Sequence, residues 1–534
     1  MKKITILLIL AGIMTGFAPT IHAEIFDVDT AGEFQAALTT AESNGEDDTI
    51  NVAVGTYTIG STLMYGVAED FAITISGADR DTTILDGNNA NRIFSGSLSG
   101  HSNAPITIEG LTFQNGISTL GGAILIASNS GGATIKNCNF FDNSADNAGA
   151  VATEVEGNIV FTDNVLTGNA ATDGDVGAAW LSGDSGSVTV TGNRFSGNTA
   201  VDDCGGVYAG SETGAVTFSN NNVTNNSVNA VVVNSGQYGG VYLASQHGPI
   251  AVNNNTISDN SVTGIAPFGD DAGLFAGIMV ETMDGAVRLS GNRITGNTTN
   301  NSAGGGAVQT ESADIYLANN IIAGNTAGEL GGGFGAVTQT GTVYVVNNTI
   351  TGNTATNDDC GGLYLQLGED AGDTVAAIAH IYNNIIWSNS AAGDGADLYV
   401  NDNEDADTLQ GTVDLHFNDF SDLYFVDGSA ATESDNIDQD PDLTADLHLP
   451  ATSLCVDAGD NTAPGIPAED IDDDDRIVDG DEDGDAVVDM GADEYVEPEA
   501  DVSTAGIVPA GGGGGGGCFI SSSSRTLHGM FDNN

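Results

Sequence analysis

Two columns of asparagine run through the chain and constrain its fold more than any other feature. The repeating unit reads apolar-x-apolar-x-x-Asn-x-apolar-x-x-Asn, with clear copies in VTVTGNRFSGN (188–198), VRLSGNRITGN (287–297), IYLANNIIAGN (315–325) and VYVVNNTITGN (343–353). The first column begins with Leu111 and Cys138 and continues as Asn164, Asn193, Asn221, Asn255, Asn292, Asn320, Asn348, Asn384 and Asn418, at intervals of 26 to 37 residues. Five residues on stands the second, from Asn143, Asn169 and Asn198 through to Asn353 and Asn389. Apolar residues flank the first column on both sides, as Val190 and Phe195 do around Asn193. Alternation with period two marks strands, and no stretch of the repeat sustains a helical period. A strand pair recurring in every unit, with no helix between copies, predicts parallel strands wound into a solenoid whose coils stack at about 4.8 Å. The unequal intervals predict loops inserted on constant coils, the longest around 228–248, 262–286 and 355–376.

Stacking gives the asparagines a structural role. Each carboxamide donates to the coil on one side and accepts from the other, at a tight turn where left-handed backbone is tolerated. Glycine pairs such as Gly121-Gly122, Gly205-Gly206, Gly239-Gly240, Gly305-Gly306 and Gly361-Gly362 mark another turn, where positive φ is cheap. Cys204 and Cys360 share near-identical contexts, DDCGGVY and DDCGGLY, but lie five coils apart. That is roughly 24 Å, against the ~7 Å a disulfide allows, so both are expected as free thiols.

Composition decides among partners. The 534 residues carry 74 acidic and 10 basic side chains, a formal net charge of −64, which excludes a binder of nucleic-acid phosphates. The 74 glycines exceed the usual share, yet 40% hydrophobic residues are enough for a core.

Residues 1–23 read as a signal peptide, with Lys2 and Lys3 before an apolar run and Ala23 at the cleavage position. No transmembrane span is expected in the mature chain. Residues 24–48 form an N-terminal cap, in which Thr30 and Glu33 fit a capping box and Phe34, Leu38 and Ala41 share a helical face. Residues 49–423 make the solenoid, 424–495 an acidic segment closing its C-terminal end, 496–510 a linker, and 511–534 a glycine-rich tail containing Cys518.

The stretch ITISGADRDTTILDGNNANRIF (73–94), the GGAI element at 121–124 and the FxxN elements at 140–143 and 195–198 resemble right-handed parallel β-helix proteins of the pectin-lyase-like superfamily, including polymorphic outer-membrane protein repeats. DPDLTADLHLPATSLCVDAGD (440–460) with VDMGADEY (488–495) resembles the closing segment of choice-of-anchor bacterial surface proteins. The repeats make an all-β solenoid of roughly 11–13 coils with a helical N-terminal cap, and the resemblance implies that it is a right-handed parallel β-helix with a third strand per coil. It also implies an exported bacterial protein, secreted or associated with the outer membrane. The tail resembles a glycine-run and CFI sorting box, but SSSSRTLHGMFDNN replaces the usual continuation; Cys518 is its candidate anchoring or modified thiol.

Lyases of this fold generally use Arg or Lys as base. Here Arg194 and Arg293 sit at one repeat position beside the ladder, which fits a structural role. Asp202-Asp203, Asp270-Asp271 and Asp358-Asp359 are adjacent acids in turns, and His247-Gly248 matches one fragment of a polygalacturonase-like pattern without its basic partner. No catalytic set or organic cofactor is evident. Asp479, Asp481, Asp483 and Asp485 with Gly484 reproduce half of an EF-hand loop and are the calcium candidates, although Met490 occupies the position of the bidentate acid. The expected function is adhesion or glycan contact at a cell surface, with glycans or surface components as partners; the alternative is a lyase or glycoside hydrolase acting on polysaccharide. Oligomeric state is left open.

Overall fold

The computed structural model describes residues 23–497, except 68–69, 99–103, 129–130, 231–236, 265–273, 369–375, 402–410, 427–430 and 482. The chain divides into two units, Met1–Val496 and Glu497–Asn534, and all described residues but Glu497 lie in the first. Among them no helix is long and apolar enough to cross a membrane.

One coil illustrates the architecture. Val188–Thr191 belongs to a first sheet, and Gly192 and Asn193 turn the chain into Arg194–Ser196 of a second. Gly197 and Asn198 turn it again into Thr199–Ala200 of a narrow sheet. Residues 201–206 lead to Val207–Ser211 of a third broad sheet, and 212–215 return to Val216–Ser219 of the first. Every strand pairs in parallel with its copy in the next coil. The described strands number 15 in the first sheet, 13 in the second, 13 in the third and ten in the narrow one. The fold is an all-β, right-handed parallel β-helix, the hand that right-twisted strands favour.

Because side chains alternate, each coil sends Val188, Val190, Phe195, Val207 and Ala209 inward, all fully buried. Like residues therefore stack. In the second sheet the rings of Phe113 and Phe140 stack with centroids 5.1 Å apart, and Phe161, which comes from the first sheet, packs between Phe140 and Phe195 at 6.4 and 6.2 Å.

Both asparagine columns are continuous hydrogen-bonded ladders. Asn193 donates from Nδ2 to Asn221 Oδ1 at 3.0 Å and to the Phe161 carbonyl at 2.8 Å, while its backbone N–H donates to the same Asn221 Oδ1 at 2.9 Å. Its own Oδ1 accepts both corresponding bonds from Asn164. The pattern repeats from Cys138, whose N–H donates to Asn164 Oδ1, to Asn418, and then continues to Asn436, only 18 residues further on.

Two turn assignments need correction. The left-handed residue is the one preceding each ladder asparagine: Asn220, Asn254, Asn319, Asn347 and Asn383 have φ between 54° and 58°, and Gly192 and Gly291 are at 70° and 68°. The ladder residue itself is free to pair because its neighbour makes the turn. The glycine pairs, for their part, mostly lack positive φ; they are glycines because backbones touch. A Cβ on Gly206 would lie 2.2 Å from the Gly240 carbonyl oxygen, and one on Gly240 would lie 2.5 Å from that of Gly277. Cys204 and Cys360 are free and buried in the turns before Val207–Ser211 and Leu363–Leu367, which lie five strands apart in the third sheet.

The N-terminal helix is Ala31–Ala41, which buries Phe34, Ala37, Leu38 and Ala41. The Glu33 N–H donates to Thr30 Oγ1, but the Glu33 carboxylate accepts from Asp29 N–H, one residue before the position a capping box would use. A strand not foreseen, Glu24–Val28, precedes the helix and forms the sheet edge beside Asp48–Val52.

The acidic C-terminal segment runs back over the outside of the second sheet as a strap. The Ile437 N–H donates to the Asn418 carbonyl, the Asp460 N–H to Asn383 Oδ1, Asn347 Nδ2 to the Asp489 carbonyl, and Arg476 to Asn319 Oδ1, stepping back coil by coil. The left-handed asparagines thus hold the strap with their carboxamides. Under it the outward column of the second sheet changes from Arg194, Asn222, Thr256 and Arg293 to Ile321, Thr349 and Ile385. Ile385 packs with Leu449, Cys455 and Met490.

Replacing Asn292 by alanine leaves the N–H and one Nδ2 proton of Asn255 without their acceptor and the Val252 carbonyl without its Nδ2 donor. At about 1–3 kcal/mol for each orphaned buried group, a loss of at least ~3 kcal/mol is expected in urea denaturation. The outward Thr256→Ala change should cost under about 0.5 kcal/mol.

Candidate functional site

The third sheet carries the feature that the repeat did not reveal. Its second residue points outward, and parallel register lines up Trp180, Tyr208 and Tyr242 in neighbouring coils. Their ring centroids are 4.8 and 5.3 Å apart. Tyr238 stacks on Tyr242 at 4.3 Å and faces Phe275 at 6.0 Å. The Tyr242 hydroxyl donates to Glu281 Oε2 at 2.8 Å. Burial pushes the hydroxyls of Tyr208, Tyr238 and Tyr242 above the ordinary tyrosine value, so they stay protonated and able to donate.

Beside this aromatic row lies a groove of about 750 Å³ along the third sheet and the turns that leave it. Glu154, Glu156, Asp184, Glu212, Glu281 and Glu311 line it, all exposed, with Gln246, Gln309 and Gln339 among them. Among the described residues, no lysine, arginine or histidine is in its lining. Asp184 and Glu212 occupy one turn position in successive coils, linked by a 2.9 Å bond from the Glu212 N–H to the Asp184 carbonyl. A signal for the row was present in the sequence. GGVY at 205–208, GGVY at 239–242 and GGLY at 361–364 put an aromatic residue two places beyond each glycine pair.

The residues singled out from sequence do not converge on this groove. Arg194 and Arg293 both lie in the outward column of the second sheet, and Arg293 pairs with Asp472 at 3.0 Å. Asp359 Oδ1 accepts from the Asp394 N–H, which makes it part of a turn. His247 pairs with Asp284 at 3.0 Å. Asp270, Asp271 and Cys518 lie outside the described residues.

Of the four calcium candidates, the fold brings Asp479 and Asp481 together with Asp457, which the loop pattern did not include; their carboxylate oxygens lie within 4.8 Å of one another. Asp479 Oδ1 is shielded from solvent and has no hydrogen-bond partner, and its Oδ2 accepts from the Gly484 N–H at 3.0 Å. Asp483 and Asp485 are exposed and stand outside that group; Asp483 Oδ1 accepts from the Asp485 N–H. Three convergent carboxylate oxygens are a donor set suited to a hard divalent cation. Asp489 turns inward instead, accepting from Asp457 and Tyr495 N–H groups at 2.6 Å each.

Inside the strap Arg476 is 1% exposed, with its guanidinium 3.5 Å from Glu494 and donating to Asn319 and to the Gly491 carbonyl. Desolvation outweighs the pull of that cation and pushes Asp489 up to about 7 and Glu494 up to about 8.

A sequence family described as a right handed beta helix region matches residues 71–275. No curated protein matches the chain. Among solved structures, it is similar to the PL6 family alginate lyase AlyGC and to an arginine-to-alanine mutant of that enzyme. Each alignment has 11% identity and a TM-score of 0.17, and covers 76% of this chain and 86% of the other.

Folded carboxyls with raised pKa hold protons that the unfolded chain releases. Their contribution to stability is complete below pH ~4 and is lost as the pH rises towards about 8. Limited proteolysis of the strap should therefore accelerate from pH 5 to pH 8. Asp489→Asn combined with Glu494→Gln should flatten that dependence.

Proposed function

We propose that the chain is an exported bacterial surface or extracellular protein that contacts glycans through the outer face of its third sheet. The observation that carries this reading is the row of half-buried aromatic rings beside an open groove of exposed carboxylates and amides. Sugar rings present C–H faces that pack on aromatic planes, and their hydroxyls pair with carboxylates and amides. A repeated outer face offers the same chemistry at each coil, which suits an extended polymer better than a compact ligand. The leader-like residues 1–23 support export. Binding of the mature protein to a glycan array, with Tyr208→Ala reducing it about tenfold or more at unchanged circular dichroism, is the expected result. An unchanged array profile for that variant would reject the groove.

A second reading, hydrolysis of the bound glycan, is favoured by Asp184 and Glu212. One coil separates their positions, close to the ~5 Å spacing of carboxyl pairs that retain configuration. Release of reducing ends that Glu212→Gln abolishes, with binding retained, would establish it.

Calcium at Asp457, Asp479 and Asp481 is part of the same proposal, as a brace for the strap. Chelation at pH 7.5 should lower the melting temperature, and Asp479→Asn should remove the response to added calcium. Equal melting temperatures with and without chelator would exclude the brace.

A further inference from the structure

The aromatic row of the third sheet is interrupted, and the interruption has a shape. Beyond Tyr242 the outward column continues as Met279, Ala307 and Gly335 before an aromatic returns at Tyr364. The missing side chains leave a recess of about 140 Å³, walled by Phe275, Met279, Ala307, Leu330, Val337 and Tyr364. That is below the ~300 Å³ at which sites begin to enclose a whole small ligand, so the recess fits a substituent. Its walls are almost wholly apolar, which selects a methyl-bearing group. Gln309 lines both the recess and the carboxylate groove, so the two adjoin on the same face.

The groove imposes the complementary demand. Its six carboxylates have no cationic side chain in the lining to offset them, and the chain as a whole carries −64. Such a surface repels polyuronates and attracts ammonium groups, which pair with carboxylates and also lie favourably over aromatic faces. We propose that groove and recess together bind an amino-sugar polymer bearing both free amines and N-acyl groups, with amines on the carboxylates and an acyl methyl in the recess. This rests on the glycan reading above and sharpens it to a substrate class.

The test is calorimetric titration of the mature protein with length-matched oligosaccharides: partially N-acetylated chitosan, fully deacetylated chitosan, cello-oligosaccharide, and oligogalacturonate with and without calcium. Partially acetylated chitosan should bind about tenfold or more tighter than cello-oligosaccharide, and oligogalacturonate should not bind. A Cβ at Gly335 would meet only Ala307 Cβ at 3.4 Å and Tyr364 Cδ1 at 3.9 Å, so Gly335→Leu fills the recess without forcing the backbone. This variant should weaken the partially acetylated ligand about tenfold and leave the fully deacetylated one unchanged, the latter also reporting an intact fold. Glu281→Gln with Glu311→Gln should weaken both amine ligands. Cello-oligosaccharide binding as tightly as chitosan, through Tyr208, would overturn this inference and keep the glycan reading. Tighter binding of oligogalacturonate, with or without calcium, would overturn the inference too. Failure of every saccharide to bind would overturn both.

Discussion

The side-chain to main-chain hydrogen bond between coils is the interaction on which the structure depends. Sheet hydrogen bonds hold neighbouring strands at a fixed spacing but do not fix where each coil bends. The ladders do. A buried asparagine such as Asn193 donates three bonds outside its own coil, one to the Phe161 carbonyl in the coil before and two to Asn221 Oδ1 in the one after. The asparagines of the first ladder, from Asn164 to Asn418, are at most 2% exposed, so each group they satisfy would otherwise be orphaned in the core. Register is thereby locked at two corners of each coil from Asn143 to Asn389.

Locked register has a consequence at the surface. When coils cannot slip, outward residues form straight columns, and a column's chemistry is set by what must lie against it. On the second sheet the column is polar at Arg194, Asn222 and Thr256, then apolar at Ile321 and Ile385, where the strap covers it. On the third sheet Trp180, Tyr208 and Tyr242 form an aromatic column beside the carboxylate groove, with no strap across it among the described residues. The same alternation that buries Val207 and Ala209 exposes Tyr208 between them.

How much of this could be read in advance follows from how local each signal is. Asparagine columns were legible because burial, spacing and identity coincide in one short unit. Which residue is left-handed is not legible in the sequence, since Asn-Asn at 319–320, 347–348 and 383–384 hides which one turns. The glycine pairs were placed correctly at a turn but for the wrong reason, because close backbone approach between coils leaves no trace within one coil. Asn436 escaped notice because the final coil is shortened to 18 residues. The aromatic row is legible in the GGVY and GGLY copies, whose tyrosines share one outward position. The strap was beyond sequence reasoning: Arg476 meets Asn319 across 157 residues, and nothing in either segment names the other.

The ladders also explain how so acidic a chain tolerates its charge. A carboxylate can only accept hydrogen bonds, so it cannot pass a ladder on, because the next rung needs a donor as well as an acceptor. Stacked at ~4.8 Å inside a core, ionised acids would repel without relief. Asparagine therefore occupies every interior rung from Asn143 to Asn389 in the second ladder, and aspartate enters only where the ladder stops. Asp397, 1% exposed, accepts from the backbone N–H and Nδ2 of Asn389 with one oxygen. With the other it accepts from Ser421 N–H, Ser421 Oγ and Asp422 N–H. Five donors converge on a group that has nothing to donate, which is the one arrangement in which a buried carboxylate completes the ladder. The rest of the negative charge is left to turns, groove and strap, where solvent, ligand or cation can meet it.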